Sequence, residues 1–408
     1  MQCQVTRWSS SPLRVCRSLT CLQVALLAAA PSVLPAQRHL EAKQDLLISS
    51  ERFDLTGIGS VHVSAKGVIA LPQFKDGRIA FFGVSGQLLG YVGRKGEGPG
   101  EFRGFSRFSS WKADTFVASD ASNNRITLIA PNLKVVRMVP RPLTLKPPTG
   151  TGEEYSRMII DLGIRPDNSL LVFLVPSAED AIPTWLAVPP GAGALVNVAL
   201  DGTVRRVTAI VPQVEDPPEC TAVVDLGRNP DGRMRKYATA IPLCPRPLID
   251  NPNGNTGVLI LRLDPDAKGH GYRVVRIGSD RGDTIVNRRF TYTPIPIPKQ
   301  VIDSIRMSMA ARISNPPPVK AYFQSMPMSK VYPPVALLKL GDDGSIWLQE
   351  YGPPSQSQQW RVLDAKGALV GVVTLPEAVG VKVVRRDAVW GVVEDSDGFQ
   401  SLVRYRIQ

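Results

Sequence analysis

The first candidate for a binding site is the glycine-rich stretch 93–104, which reads GRKGEGPGEFRG. Its cations Arg94, Lys95 and Arg103 accompany backbone amides that glycine leaves accessible, and such a group can bind a phosphate or a carboxylate. The stretch lacks a Lys-Ser/Thr ending and no helical pattern follows it, so a nucleotide-binding P-loop is not predicted. We prefer the competing interpretation, a turn between two groups of strands in which Glu101 bonds the loop amides.

Two groups of polar residues have the alternating spacing that begins a calcium-binding loop. They are Asp120, Ser122 and Asn124 in one place, and Asp395 and Asp397 in another. Neither group is followed at the required distance by a bidentate acid, and both fall where a hairpin turn is predicted. We therefore expect structural turns at both places.

Residues for catalysis are scarce in this sequence. The only histidines are His39, His62 and His270. His39 lies at the N-terminus of the expected mature chain, and the two that remain cannot form a metal site built from several histidines. No Gly-x-Ser-x-Gly motif is present, so a nucleophilic hydrolase has no local support. The sequence predicts no catalytic residue, no metal ligand and no cofactor.

The residues on either side of the glycine-rich stretch are two copies of one unit. Residues 66–92 and 113–140 share their strand and turn pattern, and equivalent positions such as Arg78 and Arg125 lie 47 or 48 residues apart. A fixed period of this size, with several short strands in each copy, is typical of a propeller blade.

Six segments can be aligned as the third strand of a blade, namely 78–82, 125–129, 194–198, 272–276, 360–364 and 402–406. The sixth unit has only three strands of its own, and residues 46–53 are expected to supply the fourth and close the ring. The predicted fold is all-β, a single six-bladed β-propeller over residues 37–408. In blade four the predicted strands are 237–242, 257–263, 272–277 and 283–290.

One segment has a helical pattern instead. Within residues 298–313, Val301, Ile305, Met309 and Ile313 recur at steps of four, after an initial proline and before the sequence NPPP. We predict one amphipathic helix inserted into the ring.

The first 36 residues have the features of a secretory signal peptide. Three arginines without an acid precede the apolar run 22–30, and Ala36 is the preferred cleavage position. Cleavage after Ala30 would leave a proline at the new terminus, and a lipid anchor on Cys21 is disfavoured because the apolar run follows that cysteine. No run of eighteen apolar residues predicts a transmembrane span. The expected location is periplasmic or secreted.

The charge is strongly basic. Net charge is +12, and it falls to +9 without the three arginines of the first 36 residues. In a cytosolic protein this would suggest nucleic acid, but an exported chain meets anionic envelope surfaces or acidic polymers instead. We expect no nucleic-acid partner.

Two cysteines, Cys220 and Cys244, remain after the signal segment. An even pair in an exported protein predicts a disulfide, here within a proline-rich irregular segment. Two free thiols are the alternative.

Residues 117–126, VASDASNNRI, resemble the NHL repeat, in which an Asp, an Asn and an Arg-Ile pair recur before a turn. Residues 93–102 resemble the loop Gly-x-x-Gly-x-Gly-Pro-Gly-x-Phe of exported bacterial six-bladed propeller proteins. The resemblance is most specific over residues 60–140, moderate over 335–408 and weak over 150–330. Blade one departs from it because Gln73 and Lys75 occupy the region where the Asp is expected, so its turn should be held differently.

The function that we expect is a non-catalytic one, a monomeric binding module that recognises a protein, peptide or glycan through one face of the ring. The alternative is an enzyme. The resemblance includes metal-dependent lyases and lactonases, and such an enzyme would need carboxylates that converge on the central channel.

Overall fold

The computed structural model describes residues 38–408 apart from 111–113, 150–151, 156–158, 166, 176–181, 213–216, 229–233, 252–255, 265–269, 280, 313–316 and 352–356. The signal segment predicted for residues 1–36 lies outside the described residues. No helix in the described part is long and apolar enough to cross a membrane.

Six antiparallel sheets of this part form the blades of a propeller, which confirms the predicted fold class. Blade 1 comprises His62–Val63, Ile69–Gln73, Arg78–Phe82 and Leu88–Val92. Blade 2 comprises Phe105–Ser110, Phe116–Asp120, Arg125–Ile129 and Val135–Pro140. Blade 3 comprises Ile159–Ile164, Leu170–Leu174, Gly193–Val198 and Val204–Val211. Blade 4 comprises Leu248–Asp250, Val258–Leu263, Gly271–Ile277 and Thr284–Thr291.

Blade 5 comprises Val335–Leu340, Ile346–Glu350, Ser357–Leu363 and Leu369–Pro376. Blade 6 comprises Gly380–Arg385, Ala388–Glu394, Gln400–Ile407 and the N-terminal strand Ala42–Ser49. All six segments that the sequence aligned as third strands occupy that position.

The hydrophobic core shows that the ring is closed. Six clusters of buried side chains each join two successive blades, and the last of them joins blade 6 to blade 1. Because a middle strand is covered by a blade on each side, both of its faces are buried, as in Leu170–Leu174 and Ile69–Gln73. This is why these strands are nearly continuous apolar runs.

The N-terminal segment closes the ring as predicted, with a different boundary. The closing strand is Ala42–Ser49, antiparallel to Gln400–Ile407, and residues 50–54 form a turn. A further short strand, His39–Leu40, pairs in parallel with Leu369–Pro376 of blade 5. The expected strand 46–53 was therefore set four residues too late at both ends, since Ala42 and the polar residues 43–45 gave no strong apolar signal.

The connections around blade 4 differ most from the sequence prediction. The innermost strand of that blade is Leu248–Asp250, whereas the segment expected to be this strand, 237–242, mostly belongs to a separate hairpin of Thr221–Arg228 and Met234–Ala240. A strand of three residues between prolines carries too little pattern to be recognised. Two short 3-10 helices are present: Thr184–Leu186 lies between the second and third strands of blade 3, and Pro218–Cys220 follows its last strand.

Two helices are inserted between blades 4 and 5. They are Lys299–Arg312, which confirms the predicted helix, and Pro317–Ser325, which the proline run concealed. Ala310, Val319, Phe323 and Met326 pack with Ala222 and other apolar residues of the hairpin between blades 3 and 4. Insertions from two separate connections thus share one small core.

Candidate functional site

The glycine-rich connection between blades 1 and 2 is fixed by the buried carboxylate of Asp120, the last residue of a middle strand. This carboxylate accepts backbone N–H groups of Arg103 at 2.8 Å, Gly104 at 3.1 Å, Ser122 at 3.1 Å and Asn123 at 3.0 Å. With its acceptor positions occupied by amides, Asp120 holds the turn, in agreement with the structural role expected for this group.

Two further residues of the NHL-like motif bond the same connection. The side-chain NH2 group of Asn123 donates to the carbonyl of Gly96 at 3.0 Å. The Arg125 guanidinium donates to the carbonyls of Glu97 and Gly98 at 2.9 and 2.7 Å. The NHL-like motif therefore attaches blade 2 to the glycine-rich connection that precedes it.

The cations proposed as ligand-binding residues lie on this connection. Arg94 pairs with Glu101 at 2.6 Å, and Arg103 pairs with Glu97. Lys95 is exposed and forms a bridge with Phe102 through its backbone. Glu101 also accepts the Gly98 amide at 2.8 Å, and this bond, followed by Arg94, lowers the pKa of Glu101. The loop thus neutralises two of its three cations internally.

Blade 1 has the same attachment with different chemistry. Gln73 ends the corresponding middle strand, and its side-chain oxygen accepts the Thr56 amide at 2.6 Å while its NH2 group donates to the Gly57 carbonyl at 3.1 Å. The neighbouring Arg78 donates to the carbonyl of Asp54 at 2.8 Å. The departure at Gln73 noted in the sequence is therefore a substitution of amide for carboxylate in one structural role.

The second acidic group with calcium-like spacing is also a turn. The side chain of Asp395 accepts the N–H groups of Asp397 at 3.0 Å and Phe399 at 2.9 Å. The predicted disulfide is present, with Cys220 and Cys244 joined beside the hairpin between blades 3 and 4.

The site that the sequence did not reveal is a cavity of about 440 Å³ along the central channel, which we call the channel pocket. Its polar side chains come from the innermost strands of blades 1, 2, 4, 5 and 6 and from adjoining residues. They are Ser60, His62, Arg107, Asp250, Asn251, Lys339, Asp342 and Lys382.

Arg107 connects two blades that are not neighbours. Its guanidinium donates to the backbone carbonyl of Asn251 at 2.6 Å and to the side-chain oxygen of the same residue at 3.3 Å. The side-chain NH2 group of Asn251 is buried and has no acceptor in the part of the chain that the structure describes. Donors from both residues therefore reach the pocket wall.

Two lysines face the pocket from blades 5 and 6. Lys339 lies 3.8 Å from Asp250, whose other carboxylate oxygen accepts the Leu340 amide at 2.7 Å. Lys382 is half-buried and forms no ion pair or hydrogen bond with any described residue. Burial, and then the positive charge of Lys339, lower the pKa of Lys382.

The second carboxylate of the pocket is already neutralised. Asp342 forms a bidentate pair with Arg385 at 2.7 Å for each bond, and this guanidinium also donates to the Ser64 carbonyl of blade 1 at 2.7 Å. Asp250 is then the one carboxylate left to balance Arg107, Lys339 and Lys382 among the described lining residues. The pocket carries a net positive charge.

His62 is neutral in this pocket. Burial, and then the charge of Arg107, lower the pKa of His62 to about 3. Its Nε2 lies 2.7 Å from the Ser60 hydroxyl, and its ring contacts Phe108 edge to face at 5.0 Å. His62 can therefore give or take a hydrogen bond without adding charge.

Metal-ligand chemistry finds little support in these residues. Within the described ranges, no group of three or more His, Cys, Asp or Glu side chains is placed to hold a metal ion. The carboxylates expected at the channel for a metal-dependent enzyme are represented in the described lining by Asp250 and Asp342, and both are engaged with cations.

No sequence signal could have revealed this pocket, because its members lie on different blades and are separated by up to several hundred residues. Each is a single polar residue on a short strand. Only the closed ring brings Arg107, Asn251, Lys339 and Lys382 together.

Comparisons with known proteins show a similarity of fold and nothing more specific. No protein-family model matches the chain, and no curated protein is significantly similar to it in sequence. An exported protein of Bacteroides fragilis shares 12% identity over 90% of this chain and 95% of its own, with a TM-score of 0.45. A DUF4221-family member from Bacteroides vulgatus shares 11% identity over 90% of this chain and 98% of its own, and its TM-score is also 0.45.

A streptogramin B lyase shares 12% identity over 89% of this chain and 98% of its own, with a TM-score of 0.38. Similarities at this level assign neither a ligand nor an activity. The six-bladed architecture is confirmed by the sheets and the core described above, while the NHL-like relationship remains a resemblance of motif.

Proposed function

We propose that this protein is an extracytoplasmic binding module that takes an anionic group of its ligand, a carboxylate or a phosphate, into the channel pocket. The observation that carries the proposal is a pair of donors with no acceptor among the described residues, the half-buried ammonium of Lys382 and the side-chain NH2 of Asn251. Buried donors are costly when left unpaired, and an anion would satisfy both.

The surrounding charges favour the same ligand. Arg107 and Lys339 add two cations to the wall, and the pocket is partly enclosed, which strengthens each charge interaction relative to bulk water. Burial and then the charge of Lys339 lower the pKa of Lys382, and both causes are expected at a site that binds a negative charge. An anion would relieve the repulsion between Lys382 and Lys339.

An enzymatic alternative deserves comparison because Ser60 and His62 have the separation of a nucleophile and its base, 2.7 Å. A general base works best when its pKa is near the working pH, and the pKa of His62 is about 3. The dyad would be a weak base at neutral pH. Binding is therefore the better-supported function.

An extracytoplasmic location is supported by two independent features. The first is the leader-like composition of residues 1–36, and the second is the Cys220–Cys244 disulfide, a bond that persists in oxidising compartments. We therefore place the ligand outside the cytoplasm, as a constituent of the envelope or the medium.

The test is calorimetric titration of the folded protein with inorganic phosphate, with galacturonate and with a short glutamate peptide, using galactose as the uncharged reference. Lys382→Gln should weaken the binding of the preferred anion about tenfold, the loss typical of a charged hydrogen bond. Lys43→Gln, on an exposed position of the closing strand, is the matched control and should bind as the parent does.

The three probes separate the possible sources of the anionic group. Binding of phosphate alone would indicate a phosphorylated ligand, and preference for galacturonate or for the peptide would indicate an acidic glycan or an acidic chain. Failure of all three anions to bind at low ionic strength, or an equal affinity for galactose that Lys382→Gln also weakens, would overturn the proposal.

A further inference from the structure

A second cavity, of about 370 Å³, lies where the helical insertion leaves and rejoins the ring, and we call it the neck pocket. One wall is formed by the two ends of the insertion, which are tied together by the hydrogen bond from the Tyr332 amide to the Ile295 carbonyl at 2.9 Å. The other wall belongs to blade 5 and includes Glu350, Tyr351 and Arg361.

Glu350 occupies a position that has a known structural role elsewhere in this ring. It is the last residue of the second strand of its blade, the place of Gln73 in blade 1 and Asp120 in blade 2. Those two side chains bond the backbone of the preceding connection. Among the described residues Glu350 forms no such bond, because the preceding connection is the helical insertion and the neck pocket lies in that place.

The carboxylate of Glu350 therefore retains acceptor capacity. Among the described residues its bonding partner is Arg361, at 2.7 Å, and that guanidinium also lies 5.7 Å from the ring of Phe290. The pair presents an acceptor and a donor side by side with no net charge. Such a combination matches a hydroxyl group, which both donates and accepts.

An unpaired polar group adjoins the same pair. Tyr272 is 1% exposed and its hydroxyl has no hydrogen-bond partner in the described part of the chain. Burial raises the pKa of Tyr272 to about 12, and its ring centroid lies 6.2 Å from that of Tyr292, which lines the neck pocket. Buried hydroxyls are normally satisfied, so a bound polar molecule or water is expected here.

Three tyrosines also line the neck pocket, together with two threonines, two prolines and Ile295. Tyr332 and Tyr351 stack with ring centroids 4.7 Å apart and planes inclined by 23°, and Tyr292 is the third tyrosine of the lining. A stacked pair is a flat, stiff platform with few rotatable bonds to fix on binding. The C–H face of a sugar ring packs well on such a surface.

We propose that the neck pocket binds a neutral carbohydrate, one or two sugar units whose ring packs on the tyrosines while adjacent hydroxyls bond Glu350 and Arg361. The cavity volume falls in the range of pockets that enclose a small ligand. The proposal is independent of anion binding in the channel pocket, because the two cavities share no lining residue.

Charge and shape disfavour other ligands. An anion would gain little, since Glu350 already neutralises Arg361 at 2.7 Å. A proline-rich peptide could pack on the tyrosines, but its prolines carry no N–H group to meet the free acceptor of Glu350. Vicinal hydroxyls use both the platform and the ion pair.

The experiment is ligand-observed NMR and calorimetry of the folded protein with maltose, cellobiose, mannobiose, lactose and chitobiose, and with an octaproline peptide. At least one disaccharide should bind with millimolar or better affinity. Glu350→Gln keeps the shape and should weaken that binding about tenfold through loss of a charged hydrogen bond. Tyr332→Ala should remove the platform and the detectable binding.

Matched controls are Glu377→Gln and Tyr91→Ala, both exposed and outside the neck pocket, and Lys382→Gln in the channel pocket. All three should bind the disaccharide as the parent does. The proposal is overturned if no disaccharide binds, if octaproline alone binds, or if Lys382→Gln rather than Glu350→Gln abolishes sugar binding. Glu350→Gln suffices for the decision even if Tyr332→Ala does not fold.

Discussion

The guanidinium of Arg107 donates a hydrogen bond of 2.6 Å to the backbone carbonyl of Asn251, so a side chain from the innermost strand of blade 2 holds the end of the corresponding strand of blade 4. Blade 3 lies between these blades in the chain order. The contact therefore both tightens the channel and positions Asn251 to present its unpaired NH2 group.

Arg107→Gln should affect stability and binding together. The shorter amide leaves the Asn251 carbonyl without its donor, and we expect the free energy of unfolding to fall by about 1–2 kcal/mol. Anion affinity should fall as well because one cation is lost. Chemical denaturation and phosphate titration measure the two effects, with the exposed Arg137→Gln as the control. An Arg107→Gln protein as stable and as tight-binding as the parent would contradict the role given to this contact.

Anion binding should depend on pH through Lys382. Burial and then Lys339 lower the pKa of Lys382 below its usual 10.5, so the ammonium loses its proton at a lower pH than an exposed lysine does. Affinity should decline as pH rises through that lowered pKa. The other charged groups of the wall are Arg107, Lys339, Asp250 and Asp342. His62, with a pKa of about 3, stays neutral from pH 5 upwards.

Binding of the anion should raise the pKa of Lys382 and take up a fraction of a proton, which titration in buffers of different ionisation enthalpy detects. Lys382→Arg should bind without that uptake. In the free protein the unfolded chain holds more protons at this lysine than the folded one, so its contribution to stability grows with pH between the lowered pKa and 10.5. An affinity that does not change with pH up to 10.5 would exclude Lys382 as the binding cation.

Asp120→Asn should weaken the attachment of the glycine-rich connection. The carboxylate is 0% exposed and accepts four backbone amides, and an asparagine NH2 group would face donors instead of accepting from them. We expect a loss on the order of 3 kcal/mol in the free energy of unfolding. Asp397→Asn, on an exposed turn, should change it by less than about 0.5 kcal/mol. Equal melting temperatures for the two variants would contradict this account.

The closing strand offers a matched pair of neighbours. Ile48 is 0% exposed and packs between blades 6 and 1, whereas Leu47 on the opposite face is 57% exposed. Ile48→Ala should lower the free energy of unfolding by about 2–5 kcal/mol through loss of buried area and a residual cavity. Leu47→Ala should have little effect. Denaturant titration compares them, and a larger effect at Leu47 would place the strand in the wrong register.

Removal of the disulfide should act locally. The double variant Cys220→Ala/Cys244→Ala opens a loop whose ends are separated by 24 residues in sequence. We expect the free energy of unfolding to fall by about 3 kcal/mol in the chain-entropy description. Hydrogen exchange should rise in the hairpin Thr221–Arg228 and Met234–Ala240 and in the helix Pro317–Ser325, which share one core. Uniform loss of protection in all six blades would show instead that the bond stabilises the whole ring.

The sequence by itself determined the six-bladed fold, the closure by an N-terminal strand and the turn at Asp120, but not the innermost strand of blade 4 or the bounds of the closing strand. These features are local or periodic. A buried middle strand must be apolar on both faces, as in Arg78–Phe82, and a turn held by Asp120 and Arg125 keeps its spacing. The period of 47 residues between Arg78 and Arg125 therefore identifies the fold from the sequence.

Only the tertiary structure decided where the candidate sites lie. Arg107, Asn251 and Lys382 belong to three blades, and single polar residues on short strands carry no spacing that links them. The neck pocket likewise depends on which connection precedes blade 5, because Glu350 is an ordinary turn acceptor until the helical insertion replaces the loop that it would bind. Long-range closure of the ring creates both pockets, and pattern along the chain does not contain that information.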